Sequence, residues 1–254
     1  MKNGSDKKDV VGVIPARYSS TRFEGKVLAD INGKPMIQHV WERAKQALLL
    51  DELIIACDDE RVAAVAKEFK ANVVMTAKQH VCGTDRIAEV VNPLECKVVI
   101  NIQGDEPLLH PTMIDNVARV LLDDPTLSMA TIIKRIDDPA IIADPHVVKV
   151  VVDKHGFAMY FSRAAIPYLA HNSQVKTPSY YKHIGLYGYT KDFLFTFKNL
   201  KPSHFEKIEN LEQLRVLEEG YKIKVIETKY ETIGVDTAED LAKLKDYLNA
   251  GKDL

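Results

Sequence analysis

Short apolar, β-branched runs alternate with amphipathic stretches through the first third of the chain, and this alternation restricts the fold more than any other feature. Residues 10–14, 53–57 and 72–75 read as buried strands. Between them, Ile37, Val40, Trp41, Ala44 and Leu48, and then Val62, Val65, Ala66 and Phe69, recur at helical spacing. Asn32-Gly33 marks a tight turn ahead of the first helix, and Pro35 suits that helix's first position. Such a βαβαβ unit implies a parallel sheet with helices on its faces.

The first strand runs into an unusual loop. Pro15 stops it, and Arg17, Ser19, Ser20, Thr21, Arg22, Gly25 and Lys26 follow before the next apolar pattern. Cations and hydroxyls leaving the carboxyl end of a central strand suggest an anion site, because ligands of open α/β sheets bind in that crevice. The loop is neither a Walker A motif, since Gly25-Lys26 is followed by Val27, nor a G-x-G-x-x-G turn. A solvated basic loop is the alternative.

Further along, Thr84 reads as a helix N-cap, which places Arg86 in an anion-favouring first turn, although position alone suits a surface arginine equally well. Residues 98–102 form a buried strand broken sharply by Gln103-Gly-Asp-Glu-Pro107, so Asp105 and Glu106 stand at its carboxyl end. Mg²⁺ favours one or two carboxylates plus phosphate oxygens, although an acidic turn is also ordinary turn chemistry. A helix with Ile114, Val117, Ala118, Leu121 and Leu122 inward comes next, then a strand over 128–133. Residues 147–152 and 157–161 read as a hairpin about Lys154-His-Gly156, which breaks the β–α alternation and implies an antiparallel excursion. A polar loop over 168–179 precedes the aromatic run 180–189, where His183 and Tyr187 are either sheet-surface residues or part of a sugar-binding wall. Residues 205–217 read as one helix in which Glu212 interrupts an apolar line through Ile208 and Val216. A carboxylate there is costly unless it is hydrogen-bonded or faces a cleft. Residues 222–227 and 233–236 read as strands. Thr237-x-x-Asp240 resembles a capping box for a last helix facing inward through Leu241, Leu244 and Leu248, and Asp236 either assists that cap or ligates a metal.

Composition narrows the partners. The 254 residues carry a net charge of −2, so no global field points to nucleic acid or an anionic membrane, and any anion site is local. Three cysteines without a C-x-x-C pattern suit a reducing cytoplasm. The polar residues 1–9 do not resemble a signal peptide, and no apolar stretch reaches the length of a membrane span.

Eight segments then stand in a telling order: PARYSSTR (15–22), INGKPM (31–36), GTDR (83–86), NIQGDEP (101–107), YFSR (160–163), HIGLYGY (183–189), LEQLRVL (211–217) and GVDT (234–237). Together they resemble the 3-deoxy-manno-octulosonate cytidylyltransferases (CMP-Kdo synthetases) across almost the whole chain. Two departures are Glu24, where the family usually has proline, and Asp85, where glutamate is common. The resemblance implies an α/β, Rossmann-like nucleotidyltransferase fold, with a mostly parallel central sheet and an antiparallel excursion in the second half. It implies a single domain over 1–254, with about 155–200 as a sugar-binding and dimerisation excursion, in a cytoplasmic homodimer. The implied reaction joins CTP and Kdo into CMP-Kdo and pyrophosphate with Mg²⁺, for lipopolysaccharide synthesis. Carried over residue by residue, Pro15, Ala16, Arg17, Lys26, Gly83, Arg86 and Gln103 would bind CTP. Gln103, Arg163, His183, Tyr187, Glu212 and Gln213 would line the Kdo pocket, Asp105 and Asp236 would ligate Mg²⁺, and Arg17, Lys26, Asp105 and Asp236 would carry the chemistry. Three rivals remain at this stage: a cytidylyltransferase for a related acidic sugar, a glycosyltransferase turning over a nucleotide sugar, and a non-catalytic nucleotide-binding protein.

Overall fold

The computed structural model describes residues 8–19, 23–80, 82–175 and 178–249; Ser20, Thr21 and Arg22 of the basic loop lie outside the described residues. Strand β1 (Val10–Ala16) is the hub. It is paired in parallel with β4 (Glu52–Cys57) on one side and β6 (Val98–Asn101) on the other. Its side chains alternate in and out of two cores: Val10, Ile14 and Ala16 pack on one face of the sheet, Val11 and Val13 on the other. A strand buried on both faces must be apolar throughout, which is why residues 10–14 read as a continuous run. Each such side chain contributes ~1.5–3 kcal/mol of burial.

Between β1 and β4 come a 3₁₀ turn (Lys26–Leu28), the two-residue strands β2 (Asp30–Ile31) and β3 (Lys34–Pro35), and helix α1 (Met36–Ala44). Asn32 and Gly33 join β2 to β3 with φ of 50° and 86°, the left-handed pair such a two-residue hairpin turn requires. Pro35 caps α1 rather than opening it, and α1 ends at Ala44, so Leu48 is off the apolar stripe and 88% exposed. Helix α2 (Glu60–Glu68), β5 (Asn72–Met75) and α3 (Gly83–Val91) complete the first half as the periodicity predicts. The exception is Thr84: the N-cap is Cys82, and Thr84 lies inside the helix.

In the second half, α4 (Pro111–Asp123), β7 (Met129–Ile136), α5 (Pro139–Ala143), the hairpin β8 (Lys149–Val152) and β9 (Ala158–Ser162), and the long β10 (Tyr180–Thr190) follow. The remainder is α6 (Lys191–Asn199), α7 (His204–Glu209), α8 (Gln213–Glu218), β11 (Lys224–Glu227) and α9 (Ala238–Asn249). The main sheet runs β11-β7-β10-β6-β1-β4-β5, with β8 and β9 appended beside β10. Only β10 and the β9 arm of the appended hairpin run against the parallel majority, and β10 lies inside the sheet, hydrogen-bonded to both β6 and β7.

Two expectations about the last third fail. Residues 205–217 do not form one helix: Asn210 takes a left-handed φ of 53° and splits α7 from α8. Ile208 is therefore exposed and shares no line with Glu212, which sits at the N-cap of α8. Residues 233–236 are not a strand either; the chain is irregular there, held by Val235 N–H donating to the Asp105 carbonyl at 2.9 Å.

Candidate active site

The loops after β1 and β6 and the segment before α9 converge on one point. Lys26 Nζ lies 2.7 Å from Asp105 Oδ2 and 3.0 Å from Asp236 Oδ1. These residues are up to 210 positions apart in sequence, yet their charged atoms share a single contact. Burial opposes the charge of Lys26, but Asp105 and then Asp236 outweigh it and hold its ammonium above the ordinary lysine range. The Asp236 carboxylate faces Lys26 while the helix start is capped beside it: Thr237 Oγ1 accepts from Asp240 N–H, and the Asp240 carboxylate accepts from Thr237 N–H at 3.0 Å and from Asp236 N–H at 3.2 Å. The sequence left Asp236 between capping and metal binding; here the cap belongs to Thr237 and Asp240.

Glu106 lies beside this cluster. Burial, with the Asp105 charge adding, pushes its carboxyl up to about 8, and Oε2 is buried without a hydrogen bond among the described residues. A Cβ at Gly234 would come 3.2 Å from Glu106 Oε1, so glycine lets the Asp236 segment close down on the acidic turn. Arg17 follows β1 directly, and its Nη2 is buried with no partner among the described residues. Pro15 lies under Gly83, whose Cβ would stand 3.6 Å from its ring, and its carbonyl faces Gly104. Ala16, the buried last residue of β1, completes this floor.

Arg86 is placed differently from its neighbours. Its guanidinium is fully buried, donates to Asp58 Oδ2 at 2.7 Å and also reaches the Thr76 hydroxyl. Asp58 directly follows β4, the same strand-end position that Asp105 occupies after β6, and that position is its signal in the sequence.

A second group gathers along β10. Tyr187 pairs with Asn101 across the β6–β10 ladder, and Gln103 Nε2 donates to Asn101 Oδ1 at 3.2 Å while its Cγ packs over Gly185. His183 lies 5.2 Å from the Tyr187 ring and 5.1 Å, edge-on, from Phe161. Burial pushes its imidazole pKa down to about 3, so the ring is neutral, and burial likewise raises the Tyr187 phenol, with the Tyr189 and Glu212 charges adding. Glu212 Oε2 accepts from Thr84 Oγ1 at 3.0 Å, whereas Oε1 is buried without a hydrogen bond among the described residues and 3.9 Å from the Arg215 guanidinium; burial raises this carboxyl too. Thr84 thus serves Glu212 rather than the helix end. Gln213 is buried in the first turn of α8, and a cavity of about 500 Å³ opens beside it, lined by Cys82, Thr84, Leu211, Glu212 and Arg215 among others.

Arg163 stands apart. Its Nε donates to the Glu209 carbonyl at 2.8 Å and its Nη1 to the Pro145 carbonyl at 3.1 Å. No hydrogen bond or ring contact among the described residues joins it to Gln103, His183 or Tyr187. The completely buried Lys149 holds the Arg163 carbonyl at 2.6 Å, along with those of Asp144 and Val147. Of the two departures noted in the sequence, Glu24 is exposed and Asp85 accepts from the Cys82 thiol at 3.3 Å.

A parallel-sheet crevice carrying two carboxylates, a lysine and an unpaired arginine nitrogen is what a nucleotidyltransferase needs, and residues 11–225 match the cytidylyltransferase family model. The chain belongs to that family. The 3-deoxy-manno-octulosonate cytidylyltransferase of Solibacter usitatus (strain Ellin6076) is 53% identical over 237 residues, 93% of each chain. The enzyme of the same name from Geotalea uraniireducens (strain Rf4) is 49% identical, covering 94% of this chain and 98% of its own. A solved CMP:2-keto-3-deoxy-manno-octonic acid synthetase complexed with CTP superposes with a TM-score of 0.90 at 41% identity, covering 96% of this chain and all of that one. Within the family, the chain is a member of the 3-deoxy-manno-octulosonate cytidylyltransferases.

Proposed function

We propose that this enzyme transfers the cytidylyl group of CTP to the anomeric 2-hydroxyl of 3-deoxy-manno-octulosonate, giving CMP-Kdo and pyrophosphate for lipopolysaccharide biosynthesis. The observation that carries the reading is the convergence of Lys26, Asp105 and Asp236 at the carboxyl ends of β1 and β6. The 2-hydroxyl oxygen bonds to the α-phosphorus as the α–β bridging P–O bond breaks, pyrophosphate leaves, and the hydroxyl proton passes to solvent. Lys26 and Arg17 offset the triphosphate charge and the charge growing on the leaving group. Arg17 Nη2, buried with no partner among the described residues, would gain a phosphate oxygen as partner.

The donor set fits Mg²⁺. Two carboxylates already converge on one cation, the number that Mg²⁺ takes alongside phosphate oxygens and water. Bound there, Mg²⁺ would supply Lewis-acid polarisation of the α-phosphate and a template for the sugar hydroxyl. Asp105 and Asp236 would hold it. Gln103, His183, Tyr187, Glu212 and Gln213 would enclose the sugar, with Arg163 turning from its carbonyl contacts to the sugar carboxylate.

We also assign the chain to one domain acting as a cytoplasmic homodimer. Support comes from cores on both faces of one sheet, from the absence among the described residues of any helix long and apolar enough to cross a membrane, and from the exposed Met159 and Tyr168 in the 155–200 excursion.

The test is pyrophosphate release from CTP and Mg²⁺ with Kdo, 8-amino-Kdo or N-acetylneuraminate as acceptor. Release with Kdo alone is expected. Release only with another acid sugar would keep the cytidylyl transfer and move the specificity, and no release with CTP still bound would overturn the enzymatic reading.

A further inference from the structure

Strand β10 slips register against β7 between Ile184 and Tyr187, so Gly185 and Leu186 have no partners on β7. A bulge of this kind takes backbone carbonyls out of the ladder and leaves them to be satisfied otherwise. One side chain does this. Thr131, on β7 and completely buried, places Oγ1 2.8 Å from the Leu186 carbonyl and 3.3 Å from that of Ile184. The same oxygen lies 2.9 Å from His183 Nε2.

These three contacts fix a proton. A threonine hydroxyl has one hydrogen to donate and lone pairs to accept with. The carbonyls can only accept, so the hydroxyl hydrogen goes to them, chiefly to Leu186 at the shorter distance. His183 Nε2 must then be the donor to Oγ1, and in the neutral ring Nδ1 carries the lone pair. Phe161 and Tyr187 pack against the imidazole and hold its plane.

We propose that Thr131 is a positioning residue: it sets the Nε2–H tautomer and the orientation of His183, so that the sugar pocket presents a ring-nitrogen acceptor, Nδ1, to a hydroxyl of the acid sugar. The proposal rests on reading His183 as part of that pocket. Nothing in the sequence flagged Thr131, which looks like any β-branched strand residue; its role follows from the bulge opposite.

The experiment uses the full chain and has a readout that a purely structural role would not move. In ¹⁵N-labelled wild type at neutral pH, two-bond ¹H–¹⁵N correlations of the His183 ring, assigned by its absence in H183A, should put the proton on Nε2. A proton on Nδ1 would overturn the proposal without reference to any threonine variant. T131V keeps the volume and removes the hydroxyl; it should give a mixed-tautomer ring and raise the KM for Kdo about tenfold while KM for CTP changes less than about twofold. T131S should restore both the tautomer and the Kdo KM. Equal increases in both KM values, or an unchanged Kdo KM with an altered tautomer, would overturn it. H183A must also lose Kdo affinity. A normal value there would remove His183 from the sugar pocket, a failure distinguishable from the others because the wild-type ring spectrum would still report Nε2–H.

Discussion

Asp58→Ala separates a structural from a ligand-binding role for Arg86 by its magnitude. The Arg86 side chain is completely buried and its carboxylate partner is 14% exposed, at 2.7 Å. Deleting Asp58 strands a desolvated cation, and removing one partner of a buried pair costs about 3–5 kcal/mol. In a chain of this length each kcal/mol moves Tm by ~2–4 °C, so D58A should lower it by roughly 6–20 °C. Replacing both partners with apolar residues, R86M/D58L, removes the charge together with its counter-charge and should recover most of that loss. Trp41, the only tryptophan, packs 5.3 Å from Phe69 and gives a fluorescence signal for thermal unfolding. A Tm for D58A within about 2 °C of wild type, or a double variant as unstable as the single one, would refute the argument. In that event Arg86 returns to the nucleotide site, and R86K should raise the KM for CTP instead.

Three further outcomes follow from the site. Asp236→Asn should raise the Mg²⁺ titration midpoint about tenfold or more at unchanged Tm, because the cap is made by Thr237 and Asp240; an unchanged titration would end its role as a metal ligand. Arg163→Ala should raise the KM for Kdo about 10- to 100-fold and leave that for CTP unaltered, the range of one charge-assisted hydrogen bond; equal losses would contradict its placement at the sugar carboxylate. His183 sets a pH dependence. Its folded pKa of about 3 lies below the ordinary 6.5, so the unfolded chain binds more protons between those values. The stability of the neutral buried ring is therefore fully present above pH 6.5 and is lost as pH falls toward 3, by at most ~1.4 kcal/mol per pH unit. Urea unfolding of H183Q should show a correspondingly shallower acid loss, and a parallel profile would mean that the ring titrates normally.

Legibility in the sequence tracked how local each determinant is. Strands β1, β4 and β6 were readable because a strand buried on both faces needs an unbroken apolar run, and the edge strand β5 by its short apolar run after α2. Lys26, Asp105 and Asp236 stood out by position only as open alternatives and were singled out by the family resemblance, and only the fold joins them at 2.7 and 3.0 Å. The single helix expected over 205–217 failed because apolar periodicity passes through Asn210 without registering that this residue adopts a left-handed backbone. Arg86 was given to the nucleotide by the family resemblance, its first-turn position alone leaving a surface arginine equally open; its side chain is buried instead, where Asp58 meets it. Thr131 had no local signal, since its function is defined by a bulge some fifty residues later.

The position of β10 explains how the proposed metal-and-phosphate site and the proposed sugar wall, on distant segments, remain in register. A strand appended at the sheet edge would leave His183 and Tyr187 free to move relative to Asp105. Instead β10 is hydrogen-bonded to β6 on one side and β7 on the other. Tyr187 pairs with Asn101, which accepts from Gln103, and Gln103 lies two residues before Asp105 on the same turn. The Asp105 carbonyl in turn holds Val235, next to Asp236. Each link is a hydrogen bond or a ladder pair, so the distance between the sugar wall and the two carboxylates is set by backbone geometry. Placing a hydroxyl against the α-phosphorus depends on that fixed spacing, because a misplacement of about 1 Å is enough to slow such a reaction a hundredfold.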